Sequence, residues 1–127
     1  MRHRAELSDI YWGDRLWVSK DPLGELEQAG DRAWLVLSHP EQHQAMELVI
    51  AVPLTSVDRG WKTHVRMNAD TDGTPEVAVC EQVRAMPVQV VRGVDSAPYS
   101  DRLVERVHTV LKTLTAPRRS AMPDRGI

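Results

Sequence analysis

Several side chains in this sequence have the chemistry to hold a phosphate, and they lie at the ends of apolar runs rather than inside one motif. Arg32 heads the run Ala33-Trp34-Leu35-Val36-Leu37, directly after a polar stretch. Thr55 and Ser56 follow a second apolar run, and Arg59, Lys62, Arg84 and Arg92 stand at the ends of others, with Glu81 near Arg84. A guanidinium can grip a phosphate through two parallel hydrogen bonds, and a hydroxyl can add another to the same oxygens. If the ends of these runs converge, they line a groove holding a guanidinium, hydroxyls, a carboxylate and further cations. Taken singly, each has a plain structural reading. Arg32 reads as a strand-end cation, Thr55-Ser56 as a turn, and Glu81 as an ion-pair partner of Arg84.

The other candidate constellations are weaker. His39 and His43 are four apart, with Glu41 and Glu47 close by, so a shared helical face could present them to a metal. There is no HExxH motif and Pro40 disturbs a helix here, so solvated loop histidines are the expectation, with no metal and no cofactor. No P-loop, GxGxxG or GxSxG occurs.

The elements that must carry these residues read mostly as strands. Leu7 to Val18, rich in aromatic and β-branched residues, predicts a strand bent at Gly13. Ser19 to Asp31, with Pro22, Gly24 and Gly30, predicts a long loop of the kind that is usually functional. The run 33–37 predicts a strand buried on both faces, and Leu48 to Val52 a second, stopped at Pro53. Between them, Pro40 to Met46 reads as a short helical turn or a loop. Further strands are expected at Thr63–Met67, Val77–Cys80 and Val88–Val91, with Glu81 to Pro87 as a connection. Leu103, Val104, Val107, Val110, Leu111 and Leu114 share one face of a helix from Asp101 to Leu114, capped by Ser100 and stopped before Pro117. The fold expected is mainly β with a C-terminal α-helix, a small barrel-like sheet with helical packing. Residues 1–116 read as a single domain and 117–127 as a polar, disordered tail.

Composition limits the function classes. The chain has 127 residues, 42% of them apolar and 27% charged, enough for one core without disulfides. Sixteen Lys and Arg against 18 Asp and Glu leave a formal charge of −2, which excludes a protein driven by bulk positive charge. Cys80 is the single cysteine, so neither a disulfide framework nor a multi-cysteine metal site can form. The apolar runs are too short to span a membrane and the N-terminal residues do not form a signal peptide, so a cytoplasmic location is expected.

The chain resembles the MazF/PemK family of toxins from bacterial toxin–antitoxin pairs. Asp9-Ile10-Tyr11-Trp12 is similar to the family's opening, with Ser8 in place of the usual Gly. Glu27-Gln28-Ala29-Gly30-Asp31-Arg32 is similar to its loop, and Trp34-Leu35-Val36-Leu37-Ser38 to the strand that follows. Val52-Pro53-Leu54-Thr55-Ser56 and Cys80-Glu81-Gln82-Val83-Arg84 resemble two later motifs, and the terminal helix falls where the family has one. Each match is short, but five occur in order over residues 8–114. The chain departs from the pattern at Leu26, Ala33 and Val79, where some members carry other residues, including a histidine at the first and an arginine at the last.

The resemblance implies a small SH3-like barrel of the CcdB/MazF/PemK toxin type and metal-independent, sequence-specific cleavage of single-stranded RNA, most often messenger RNA. A ribose 2′-hydroxyl attacks the adjacent phosphorus, leaving a 2′,3′-cyclic phosphate and a 5′-hydroxyl end. Arg32 is then the first candidate for the scissile phosphate and proton transfer, Thr55 the second, Ser56 a supporting donor and Glu81 a general base. Glu27, Gln28, Trp61 and His64 become candidate base contacts, and Arg59, Lys62, Gln82, Arg84 and Arg92 further RNA-binding residues. Trp12 and Trp34 are expected in the core or a dimer contact. The resemblance also implies a homodimer and an antitoxin with a flexible acidic segment. Two rivals share the fold: a CcdB-like toxin that binds DNA gyrase, and a catalytically degenerate module that only binds an antitoxin.

Overall fold

The elements follow as β1 (Arg15–Ser19), β2 (Asp31–Val36), α1 (Pro40–Met46), β3 (Leu48–Thr55), β4 (His64–Arg66), β5 (Val77–Val79), β6 (Arg84–Pro87), β7 (Val91–Asp95) and α2 (Asp101–Thr115). The computed structural model describes residues 10–19, 31–69 and 73–116. The segment expected to form a long loop, with Glu27 and Gln28, and residues 117–127, expected as a disordered tail, lie outside the described residues. The strands form one antiparallel sheet in the order β4-β5-β3-β2-β1-β7, with β6 also paired to β3. Among the described residues β4 and β7 do not pair with each other, so the sheet is barrel-like without being closed.

β3 is the shared strand. One edge pairs with β2 from Ala51 to Pro53, while the other takes β6 at Leu48–Ala51 and then β5 at Leu54–Thr55. The Ile50 carbonyl accepts from Leu37 N–H at 2.9 Å, so even-numbered residues of β3 point their backbone groups at β2. Odd-numbered ones point the other way. Pro53 therefore directs its missing donor at the gap between the β6 and β5 pairings, where no ladder bond is lost. That is why the strand runs on through Pro53 to Thr55 instead of stopping there.

Alternate side chains of β2 and β3 supply two cores. Trp34, Val36, Val49 and Ala51 join Ile10, Leu16, Val18, Met86, Val91 and Val94. Leu35, Val52 and Leu54 join Val65, Met67, Ala78, Cys80 and the α2 residues Val104 and Val107. The helix is as expected, with the Ser100 hydroxyl accepting from Leu103 N–H. Other expectations are shifted. The first strand starts only at Arg15, because Tyr11–Asp14 forms a turn in which Gly13 has φ +88°. Asp14, buried there, accepts from Tyr11 N–H and Ala97 N–H, each at 2.9 Å. Residues 84–87 form β6 where a connection was expected, and Val88–Val90 form a 3-10 turn before β7. Their apolar residues are only partly buried against the first core, which is why their composition mimics a strand.

The histidine pair also departs from expectation. Pro40 occupies the first turn of α1, where its missing N–H costs nothing, and His39 caps the helix through Nδ1. His43 is fully buried, not solvated. The Ser38 hydroxyl accepts from Ile50 N–H and donates to His43 Nε2 at 2.6 Å, and His43 Nδ1 donates to the Ile10 carbonyl at 3.2 Å. Both ring nitrogens are thus committed to holding α1 against the start of the domain. Burial is the main influence on His43 and holds its pKa below the usual value. Below that usual value the unfolded chain binds a proton that the folded ring resists, so stability falls as pH drops from the unfolded His value toward the depressed folded one. Melts at pH 7 and pH 5 will show a lower Tm at pH 5, and His43→Gln will shrink the difference.

Candidate functional site

Two guanidiniums converge on one indole. Arg32 and Trp34 are two apart on β2 and so share a face, and the Arg32 Cζ lies 5.4 Å from the Trp34 ring centroid. The Arg84 Cζ lies 5.9 Å from the same centroid, brought there because β6 pairs with β3 at Ala51↔Arg84. Trp34 is 7% exposed, so it belongs to the core and supports both cations from below. A hollow of about 340 Å³ opens at this point, bounded by Ser19, Arg32, Trp34, Gln82 and Arg84 with apolar Val18, Met86 and Val90. Neither arginine has a carboxylate within ion-pair distance among the described residues. Two unneutralised guanidiniums over an apolar floor suit a phosphate.

Thr55 and Ser56 line a neighbouring hollow of about 350 Å³ with Ala33, Asn68, Thr74 and Glu76. The β2–β3 pairing ends at Trp34↔Pro53, and Thr55 pairs with Val77 of β5. The Thr55 hydroxyl oxygen accepts from Val57 N–H at 3.3 Å, which leaves its own proton to donate.

Glu81 stands in a third cluster. It lies in the 3-10 turn Cys80–Gln82 that joins β5 to β6, and its Oε2 is 3.2 Å from His64 Nε2. The partner foreseen as its structural alternative, Arg84, faces the first hollow instead. Burial alone would raise the Glu81 carboxyl, but bonds from Thr63, from its own backbone and from His64 outweigh it and hold the pKa below the usual carboxylate value. The exposed Trp61 ring lies 5.0 Å from His64, and the Arg59 guanidinium lies 5.7 Å from Trp61. Lys62 is exposed in the same turn, while Arg92 lies 3.9 Å from Asp31 on the far side of β2. The predicted residues thus form three adjoining groups rather than one groove. Glu81 and Gln82, consecutive in one turn, link the third to the first.

A model of the PemK-like, MazF-like toxins of type II toxin–antitoxin systems matches residues 9–115. The chain belongs to this family. It is 33% identical over 75 residues to the endoribonuclease toxin MazF of Escherichia coli K12, a stretch covering 58% of this chain and 65% of that protein. The match thus spans just under two thirds of the curated relative. A crystal structure of MazF from Deinococcus radiodurans superposes with a TM-score of 0.66 at 26% identity, covering 83% of this chain and 94% of that one. A MazE–MazF structure from the same organism gives 0.68 at 22% identity, covering 84% and 95%, a likeness of fold.

Within this MazF-like chain, the contribution of Trp34 as the support for Arg32 and Arg84 was absent from the sequence reading. Its spacing of two from Arg32 was the available signal. The partnership of His64 with Glu81 had none, since it depends on His64↔Val79 pairing between β4 and β5. If the arginines are poised for a ligand and the indole for the core, their removal will differ sharply in urea melts. Trp34→Leu will cost about 2 kcal/mol, whereas Arg32→Gln and Arg84→Gln will each cost less than about 1 kcal/mol.

Proposed function

We infer that this chain is a metal-independent endoribonuclease toxin that cuts single-stranded RNA, messenger RNA foremost, and that an antitoxin blocks it. The observation that carries the reading is the pair of guanidiniums, Arg32 and Arg84, on the Trp34 indole, with no acidic partner among the described residues. The name of the Escherichia coli relative, an endoribonuclease toxin, supports it. In this reading Arg32 and Arg84 hold the scissile phosphate and take up the charge that grows on its oxygens as the 2′ oxygen attacks. Thr55 donates its free hydroxyl proton to the same group, with Ser56 beside it. Glu81, ionised at neutral pH, accepts the 2′ proton. The bond from phosphorus to the 5′ oxygen breaks, that oxygen takes a proton from solvent water, and the 2′,3′-cyclic phosphate remains. Trp61, stacked with Arg59, offers an exposed ring to an unstacked base. Gln82, Lys62 and Arg92, with Glu27 and Gln28, are proposed as further RNA contacts; His64, its side chain only 5% exposed and turned to Glu81, is not one of them.

The partner has matching chemistry. A flexible acidic segment would neutralise Arg32 and Arg84 and occupy their hollow, and the solved MazE–MazF structures of relatives make an antitoxin the natural candidate. We further propose a homodimer, a cytoplasmic location and a single domain over residues 1–116. No helix among the described residues is long and apolar enough to cross a membrane.

Purified protein incubated with a long RNA in EDTA tests the reading. Discrete fragments with cyclic-phosphate ends are expected; intact RNA together with gyrase inhibition would instead identify a gyrase-binding toxin, and intact RNA alone a binding module. Arg32→Ala will lower cleavage about a hundredfold or more, the scale of losing one transition-state donor. Lys will rescue it poorly because it lacks the planar fork, and Thr55→Val will reduce cleavage less, with Ser56 nearby. Circular dichroism melts will show both variants folded. In light scattering the free protein will run as a dimer, and addition of a co-expressed acidic antitoxin will raise the mass and abolish cleavage; a 14.3 kDa species at micromolar concentration counts against the dimer.

A further inference from the structure

His64 is the one buried titratable side chain beside the proposed site with a ring nitrogen that the described residues leave unbonded. Its Nε2 faces Glu81 Oε2 at 3.2 Å, its side chain is 5% exposed, and its Nδ1 is buried with no hydrogen-bond partner among the described residues. A carboxylate only accepts, so a bond between the two requires the proton on Nε2. The unpartnered Nδ1 then carries a lone pair. Were the ring charged, Nδ1 would be a buried donor with nothing to receive it, a costlier state than an idle acceptor. No neighbour among the described residues supplies an acceptor to Nδ1. Trp61 covers one side of the ring at 5.0 Å, with Arg59 beyond it. From β5 comes apolar Val79, and next to it Cys80, a thiol that burial pushes up to about 11 and that is therefore neutral. α2 packs on β4 and on the turn with Val104, Val107 and Val110, while its charged Glu105, Arg106, His108 and Lys112 are exposed. Thr63 and the exposed Lys62 complete the turn.

We propose that His64 is a positioning residue for Glu81: uncharged, with its proton on Nε2, it donates to the carboxylate and holds it in one orientation as the proton acceptor. This rests on the reading of Glu81 as the base in RNA cleavage. His64 opens β4 and Glu81 lies in the turn after β5, so the β4–β5 pairing at His64↔Val79 sets the donor beside the carboxylate.

The test compares the wild-type protein with His64→Leu, His64→Gln and Glu81→Gln in single-turnover cleavage from pH 4 to pH 8. Losing the His64 donor removes a bond that favours the ionised carboxylate. In His64→Leu the acidic limb of the rate profile will therefore move up by roughly one pH unit, and the rate at pH 6 will fall by about tenfold. His64→Gln, whose amide reaches where Nε2 stands, will bring the limb back toward that of the wild type. Binding of an RNA carrying a 2′-deoxy sugar at the cut will change by less than about twofold, since positioning acts on the chemical step. Unmoved pH limbs, or weaker binding in place of a moved limb, overturn the positioning role while Glu81→Gln still shows that the base is needed. Full cleavage by Glu81→Gln, or uncut RNA with the wild type, overturns the underlying reading as well. Nitrogen-15 spectra of the wild-type imidazole give a check that needs no variant. A protonated Nε2 and bare Nδ1 at pH 7 are expected, and the opposite tautomer or a charged ring would refute the assignment.

Discussion

β3 has both of its edges in use, and the geometry of that arrangement sets where the chemistry can sit. β5 and β6 both run antiparallel to β3 on the same edge, one after the other. They must therefore continue in nearly the same direction, and the step between them is a single 3-10 turn, Cys80–Gln82. Side chains in such a step cannot all be buried against the sheet. Cys80 turns into the core, Glu81 faces out beside His64, and Gln82 reaches the hollow of Arg32. Pro53, on β3 opposite the step, is tolerated because no strand asks for its missing donor.

The electrostatics follow from how the remaining cations are spent. Arg15 is tied to Asp95 at 2.8 Å and to Glu76 at 3.0 Å, with Tyr99 donating to Glu76 and Trp17 to Asp95. Arg66 is 4.0 Å from Asp58, and Arg92 is 3.9 Å from Asp31. These pairs fasten β1 to β7 and brace the turns. They account for how a chain of net charge −2 can still offer a local anion site. Among the described residues Arg32 and Arg84 lie against an indole and have no acidic partner, so their charge is available to a ligand. An apolar floor also weakens screening and strengthens any phosphate contact made there.

The elements that were legible from local pattern are the ones whose burial is regular. α2 was legible because its apolar residues recur at helical spacing over a long segment, and the runs at 33–37 and 48–52 because both faces of those strands are covered. The misjudged segments are those where local composition and tertiary role diverge. Val88–Val90 looks like a strand but is a half-buried 3-10 turn. Arg84–Pro87 looks like a connection but pairs fully with Leu48–Ala51. His43 looks like a loop residue, yet its two bonds reach Ser38 and the distant Ile10 carbonyl, and spacing within α1 carries no trace of the second.

The amino-acid sequence by itself determined the mainly β architecture, the terminal helix, the absence of a disulfide framework and the family, because periodicity, composition and short collinear motifs are local properties of the chain. It also singled out Arg32, Thr55, Glu81 and Arg84 as residues with the chemistry to handle phosphate. Only the tertiary structure decided how they group. Strand pairing set Arg84 with Arg32 over Trp34, and turned Glu81 away from Arg84 to His64, because contacts between strands depend on register, and register is fixed by partners far apart in the chain.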